Sequence, residues 1–168
     1  YLKNDGKRCY FCRSALFRKM KEYADDNSVE VLAYGAMADD AFDPTRLGTL
    51  AANEYEIVAP LQEVELGKLE IRYLSEQRNL PTADKAAFAC LSSRFPKGTR
   101  VTVEGLAQVE AAEECLKALG FHQYRARHHG EMCRIEVAPE EMEKLLDPEL
   151  RVALVRDITQ AGYTYVTL

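Results

Sequence analysis

Three of the five cysteines sit where a thiol can do chemistry. Cys9 and Cys12 form a Cys-x-x-Cys pair, a spacing that serves half a zinc site, a redox couple or two ligands of an iron–sulfur cluster. A second such pair is absent from the sequence, which disfavours a closed four-cysteine zinc site. A redox couple prefers a helix start, and Cys12 opens a predicted helix. Cys90 lies in the loop Ala89-Cys90-Leu91-Ser92-Ser93-Arg94-Phe95-Pro96. A neighbouring cation favours the thiolate, the form that attacks carbon or binds metal. Cys9, Cys12 and Cys90 together can hold a cluster and leave one iron open. Cys115 and Cys133 fall in regular elements and read as core or boundary thiols.

The second candidate set is cationic. In the stretch Gln123 to His129, strand alternation sends Tyr124, Ala126 and His128 one way and Gln123, Arg125, Arg127 and His129 the other. In the following run, Cys133, Ile135 and Val137 are the apolar set, leaving Arg134 and Glu136 opposite. A hairpin joins like faces, so three arginines and a glutamate share one surface. Arginine forks match phosphate oxygens bidentately; the competing reading is a solvated face with Arg134 and Glu136 paired. Glu113 borders the apolar stripe of a predicted helix, where it can hold a cation, pair with the arginines or snorkel to solvent. Asp39 and Asp40 follow the first predicted strand, the position at which open α/β sheets bind ligands. Such a pair can support Mg²⁺ and nucleotide phosphates, or it can cap a turn.

The elements that must position these residues change in rhythm along the chain. The first half alternates. Helical spacing over 12–24 (Leu16, Phe17, Met20, Tyr23, Ala24) precedes a buried strand at Val29–Ala33. A helix over 44–53 precedes a second strand at Glu56–Ala59, and a helix over 66–79 carries Leu66, Leu69, Tyr73 and Leu74 on one side. Alternation of this kind predicts a parallel sheet flanked by helices. Residues 80–100, punctuated by Pro81, Pro96 and Gly98, read as a crossing loop. Then follow a helix capped by Thr102 and ended by Gly120, two strands at 121–129 and 132–138 around His129-Gly130-Glu131, and a short helix opened by Pro139. A last helix over 147–161 and a strand at Tyr163–Leu168 complete a small α+β unit.

The 168 residues carry 29% charged side chains and a net charge of -5. That balance disfavours an extended nucleic-acid footprint. No apolar run reaches the roughly 20 residues of a membrane helix, and no secretory leader opens the chain. The expectation is a cytoplasmic protein without membrane or nucleic-acid partners. Tyr1-Leu2-Lys3 is no natural start, and residues beyond both ends are expected.

Taken in order, five segments resemble the LarE family of ATP-dependent sulfur transferases. They are Arg8-Cys9-Tyr10-Phe11-Cys12, Gly35-Ala36-Met37-Ala38-Asp39-Asp40, Leu80-Pro81-Thr82, Ala89 to Pro96, and Arg125-Ala126-Arg127-His128-His129-Gly130. The resemblance implies an α/β fold: the C-terminal part of a PP-loop (adenine nucleotide alpha-hydrolase-like) parallel-sheet domain at 1–84, a connecting loop with Cys90 at 85–100, and an α+β substrate-binding and oligomerisation domain at 101–168. It implies that ATP, with Mg²⁺, adenylates a carboxylate of pyridinium-3,5-biscarboxylic acid mononucleotide. Sulfur then displaces AMP: some members give up the sulfur of the cysteine matching Cys90 and keep dehydroalanine, while in others three cysteines bind a [4Fe–4S] cluster that carries the sulfide, and with Cys9, Cys12 and Cys90 this chain resembles the cluster type. Arg125 and Arg127 would hold the substrate phosphate, with Ser93, Arg94 and Glu136 as further substrate-binding residues. Glu113 would share that site and is a candidate metal ligand; Asp39 and Asp40 would serve the ATP cofactor. A homo-oligomer, trimer or hexamer, is implied. The family's phosphate loop, Ser-Gly-Gly-x-Asp-Ser, is not among these residues and is expected ahead of Tyr1. Ala86 stands where the family has Pro.

Two other readings compete. A PP-loop tRNA thiolase needs a basic RNA-binding surface that the composition does not supply. A non-catalytic fragment that binds a phosphorylated ligand or assembles subunits fits the missing phosphate loop.

Overall fold

The computed structural model describes residues 1–42 and 47–168. It is mixed α and β and divides into two compact units, Gly6–Lys85 (with Tyr1) and Ala86–Leu168 (with Leu2–Asp5).

The first unit begins with α1 (Arg8–Asn27), whose opening turns contain the Cys-x-x-Cys pair, and continues through α2 (Gly48–Glu54), α3 (Pro60–Glu63) and α4 (Lys68–Gln77). The predicted helix over 44–53 is seen from Gly48 onward; residues 44–46 lie outside the described residues. Phe17, Ala51, Ala52 and Ile57 form its core. The two expected strands reduce to one parallel bridge, Ala33 to Val58. A strand is stabilised by neighbours on both sides, and here Val29 and Val31 stand exposed rather than buried. The apolar side read on α4 is likewise uncovered at Leu69 and Tyr73, which are exposed. Helical spacing marks where apolar residues gather but does not supply what covers them.

The second unit is built on α5 (Val103–Ala118). Thr102 caps it, its Oγ1 accepting from Gly105 N at 3.0 Å. Val109, Ala112 and Leu116 are buried along the stripe read from the sequence. The hairpin of β1 (Tyr124–His129) and β2 (Met132–Val137) is antiparallel, with Arg125 opposite Glu136 and Arg127 opposite Arg134. After a 3-10 helix at Pro139–Leu146 and α6 (Pro148–Gln160), β3 (Tyr165–Thr167) joins β2 in parallel. Tyr124, Ala126, Cys133 and Ile135 from the sheet meet Leu116, Leu154, Ile158 and Tyr163 in the core. Fully burying one such aliphatic side chain contributes about 1.5–3 kcal/mol.

The stretch read as a crossing loop has structure of its own. Leu91–Arg94 is a 3-10 turn, and Phe95 and Val101 pack with Val109 in a small cluster. From Ala86 onward this stretch belongs to the second unit, which also takes in Leu2–Asp5. Asn4 is buried, and its Nδ2 donates to Pro96 O at 2.8 Å.

Candidate active site

Cys90 stands just ahead of the 3-10 turn, exposed, with its sulfur 3.1 Å from the Ser92 hydroxyl. Ser92 is buried, so the sulfur rests against a fixed polar atom at the edge of the unit.

Behind the turn lies Arg94, 1% exposed. Its Nε donates to Glu113 Oε1 at 2.6 Å and its Nη2 to Glu113 Oε2 at 2.9 Å. Its Nη1 donates to the carbonyls of Ala89 at 2.8 Å and Cys90 at 3.3 Å, and to Ser93 Oγ at 3.0 Å. Glu113, on α5, also accepts from Ala126 N in β1 at 3.1 Å. These contacts change two readings. Arg94 was expected on the substrate, but its guanidinium is turned inward to the loop. Glu113 was expected as a metal ligand, but both its oxygens face a guanidinium. A buried charge demands such a partner because desolvation is costly.

The arginine face is present. Arg127 Nε donates to Glu136 Oε2 at 3.0 Å and its Nη1 to Ser93 O at 3.0 Å, tying the hairpin to the Cys90 turn. Arg134 Nη2 reaches Glu136 Oε1 at 2.8 Å. The Arg127 guanidinium, foremost, and that of Arg134 lower the Glu136 carboxyl below its ordinary range, against the effect of burial. One carboxylate thus serves two guanidinium groups. The side chain of Arg125, a half-buried residue directly across from Glu136, has no hydrogen-bond or ion-pair partner among the described residues. Three cations and one anion leave this face with an excess of positive charge, suited to an anionic ligand.

Under the face, His128 Nδ1 lies 3.0 Å from the Tyr163 hydroxyl and its ring packs on Phe95, with centroids 4.6 Å apart. Burial lowers the His128 pKa, with a further push from His129. Burial also pushes the Cys133 thiol up to about 12, so this cysteine is a core residue.

The remaining candidates sit in the first unit. Cys9 and Cys12 are exposed, one turn apart on α1. The third cysteine of the expected cluster, Cys90, belongs to the second unit. Among the described residues no group of three or more His, Cys, Asp or Glu side chains is placed to hold a metal ion. Asp39 Oδ2 accepts from Lys68 N at 2.7 Å, at the start of α4. Asp40 Oδ2 accepts from Met37 N at 3.2 Å. The pair therefore works as caps of a turn and a helix, the competing reading of that motif.

The structure thus gathers Cys90, Ser93, Arg94, Glu113, Arg125, Arg127 and Glu136 in one unit and leaves Cys9, Cys12, Asp39 and Asp40 in the other. Sequence reasoning missed Asn4, which anchors the far end of the Cys90 turn at Phe95 and Pro96. No periodicity or motif marks it, because its role depends on a partner more than 90 positions away.

No protein-family profile matches the chain. It is similar to an uncharacterized protein of Synechocystis, 39% identical over 168 residues, which are all of this chain and 62% of that protein. It is also similar to the pyridinium-3,5-bisthiocarboxylic acid mononucleotide synthase of Lactiplantibacillus plantarum, 33% identical over 159 residues, 95% of this chain and 56% of that enzyme. A third relative, an uncharacterized protein of Methanocaldococcus jannaschii, is 27% identical over 136 residues, 81% of this chain and 53% of that protein. The chain spans little more than half the length of the curated relatives it matches.

Proposed function

We propose that this chain is part of a LarE-type sulfur transferase that converts pyridinium-3,5-biscarboxylic acid mononucleotide to its thiocarboxylate form. The observation that carries the reading is the contact of Arg127 with the Ser93 carbonyl, which ties a face with an excess of arginine to the turn that follows Cys90. The name of the Lactiplantibacillus plantarum relative supports the substrate class.

A carboxylate resists nucleophiles until it carries a good leaving group. In the proposed sequence the substrate carboxylate attacks the α-phosphorus of ATP, pyrophosphate departs, and an acyl adenylate results. The Cys90 thiolate attacks the acyl carbon and AMP departs, giving a thioester. Removal of the Cys90 Cα proton then breaks the Cβ–Sγ bond. The electron pair leaves with sulfur, forming the thiocarboxylate, and residue 90 is left as dehydroalanine. Arg125 and Arg127 hold the mononucleotide phosphate, so that the acyl carbon stays near the thiol. Mg²⁺, when bound with ATP, would neutralise phosphate charge; Asp39 and Asp40 are engaged with the backbone amides of Lys68 and Met37. The PP-loop identity of the first unit and a trimeric or hexameric assembly belong to the same proposal.

Titration calorimetry with the mononucleotide tests it. Arg125→Ala and Arg127→Ala should each weaken binding at least about tenfold, the scale of one charge-assisted hydrogen bond. After incubation of a form that carries the phosphate loop with ATP and the mononucleotide, the peptide containing residue 90 should lose the elements of hydrogen sulfide. Unchanged binding in both arginine variants sinks the phosphate assignment.

A further inference from the structure

We infer that Arg94 and Glu113 are positioning residues for Cys90: the pair acts through the backbone carbonyls of Ala89 and Cys90, and neither side chain touches the substrate. This deepens the proposed function and rests on the reading of Cys90 as the sulfur donor.

The geometry separates two uses of one guanidinium. The Nε and Nη2 edge meets Glu113, a side chain fixed in turn by the Ala126 amide of β1. The Nη1 end points the other way, to Ala89 O, Cys90 O and Ser93 Oγ. The Cys90 carbonyl also accepts from Ser93 N at 2.9 Å. Helix α5 and strand β1, both part of the packed core, are thereby connected to the peptide groups on either side of the thiol-bearing residue. The sulfur itself lies 3.1 Å from the buried Ser92 hydroxyl.

A stabilising role alone accounts poorly for this arrangement. A buried ion pair contributes little net stability compared with an apolar pair of the same volume. An arginine is the residue that can satisfy a carboxylate along one edge and still present two N–H groups to a loop. Lysine keeps the charge but has a single nitrogen, and cannot reach both the carboxylate and the carbonyls. Arg94 is also too enclosed to serve as a phosphate ligand without dismantling the turn it holds.

The test uses the full chain and three variants, Arg94→Lys, Glu113→Gln and Cys90→Ser. Peptide-resolved mass spectrometry follows iodoacetamide alkylation, with Cys133, buried in the core of the same unit, reporting global opening. Calorimetry follows inorganic phosphate binding at the arginine face. A released turn should free the exposed Cys90 sulfur from its contact with the Ser92 hydroxyl, so that Arg94→Lys alkylates Cys90 about tenfold faster, the scale of one lost charge-assisted hydrogen bond. Cys133 should stay protected and phosphate affinity should stay at the native level. Cys90 alkylation at the native rate overturns the inference. So does joint acceleration of Cys90 and Cys133, which makes the pair a fold element only. Weakened phosphate binding with native Cys90 alkylation also overturns it, by making Arg94 an anion ligand. If Arg94→Lys does not fold, Glu113→Gln is read by the same outcomes. Failure of the sulfur-donor reading shows separately, as undiminished sulfur transfer in Cys90→Ser whatever the alkylation ratio.

Discussion

Arg94 and Glu113 meet fork to fork, Nε to Oε1 at 2.6 Å and Nη2 to Oε2 at 2.9 Å. The carboxylate also holds the Ala126 amide, so one side chain joins the Cys90 turn, helix α5 and strand β1. Glu113→Ala removes the partner of a fully buried guanidinium. The expected loss is about 3–5 kcal/mol, the usual result of stranding one member of a buried ion pair. Urea denaturation of the second-unit transition measures it; a loss comparable to that of a surface pair would mean that Arg94 swings out to solvent.

Arg125 and Arg127 sit on the same face but differ in what they hold. The Arg125 side chain has no partner among the described residues, whereas that of Arg127 binds Glu136 and the Ser93 carbonyl. Arg125→Ala should therefore weaken anion binding and leave the thermal midpoint nearly unchanged. Arg127→Ala should do both, lowering stability by about 1–3 kcal/mol through the freed Glu136 and Ser93 acceptors. Calorimetric scanning beside phosphate titration separates the two. Equal thermal effects would show that the Arg127 contacts with Glu136 and Ser93 carry no weight.

Glu141 gives the second unit an acid-sensitive joint. It is buried beside the turn that leads from α5 into β1, accepting from His122 N at 3.0 Å, Gln123 N at 3.0 Å and Lys144 Nζ at 2.8 Å. Burial acts to raise its pKa, but the Gln123 amide, the Lys144 ammonium and the His122 amide outweigh it and bring the pKa down to about 2. The folded pKa is below the unfolded value of about 4.3, so the stabilisation is full above that value. It fades as pH falls toward about 2. Glu141→Gln should flatten the stability profile between about pH 5 and pH 2 and lower the plateau above it. Denaturation midpoints across that window are the measurement; a variant profile parallel to the native one would contradict it.

The cysteines should divide by burial. Cys133 is fully enclosed with its thiol pushed up to about 12, and burial, then the Asp157 carboxylate, raise that of Cys115. Cys9, Cys12 and Cys90 are exposed. Brief alkylation of the native chain near neutral pH should label Cys9, Cys12 and Cys90 and spare Cys133, because the thiolate is the reactive form. Early labelling of Cys133 would mean that the sheet opens locally.

Gly105 matters through what lies opposite it. A Cβ at this position would come within 2.9 Å of Phe95 Cζ, a buried ring directly after Arg94. Gly105→Ala should cost about 1–3 kcal/mol by overpacking, despite the better helix propensity of alanine. Gly120→Ala makes a useful comparison, with open space around its Cβ but a φ of 82°. A stabilised Gly105→Ala would show that Phe95 yields without displacing the turn.

Much of the second unit was legible in the amino-acid order. Helix α5 with its Thr102 cap, the hairpin with Arg125 and Arg127 on the face away from the core, and the position of Glu113 at the border of the apolar stripe follow from period and capping chemistry, which are local properties. The first unit was less legible. The apolar runs at Val29–Ala33 and Glu56–Ala59 have the composition of strands, yet pair only at Ala33 and Val58, because strand formation depends on neighbours that a single run cannot specify. What only the tertiary structure decided is the division of labour inside the site. Sequence placed Arg94 near Cys90 and Glu113 on a helix border, but not facing each other, since 19 positions separate them. It ranked Arg94 with the substrate-binding residues, while Arg94 itself is enclosed and bound to the turn. It passed over Asn4, whose carbonyl partners lie at Phe95 and Pro96. Charge and residue type select the groups able to do chemistry; which ones reach a ligand and which hold the others in place is set by burial and long-range contact.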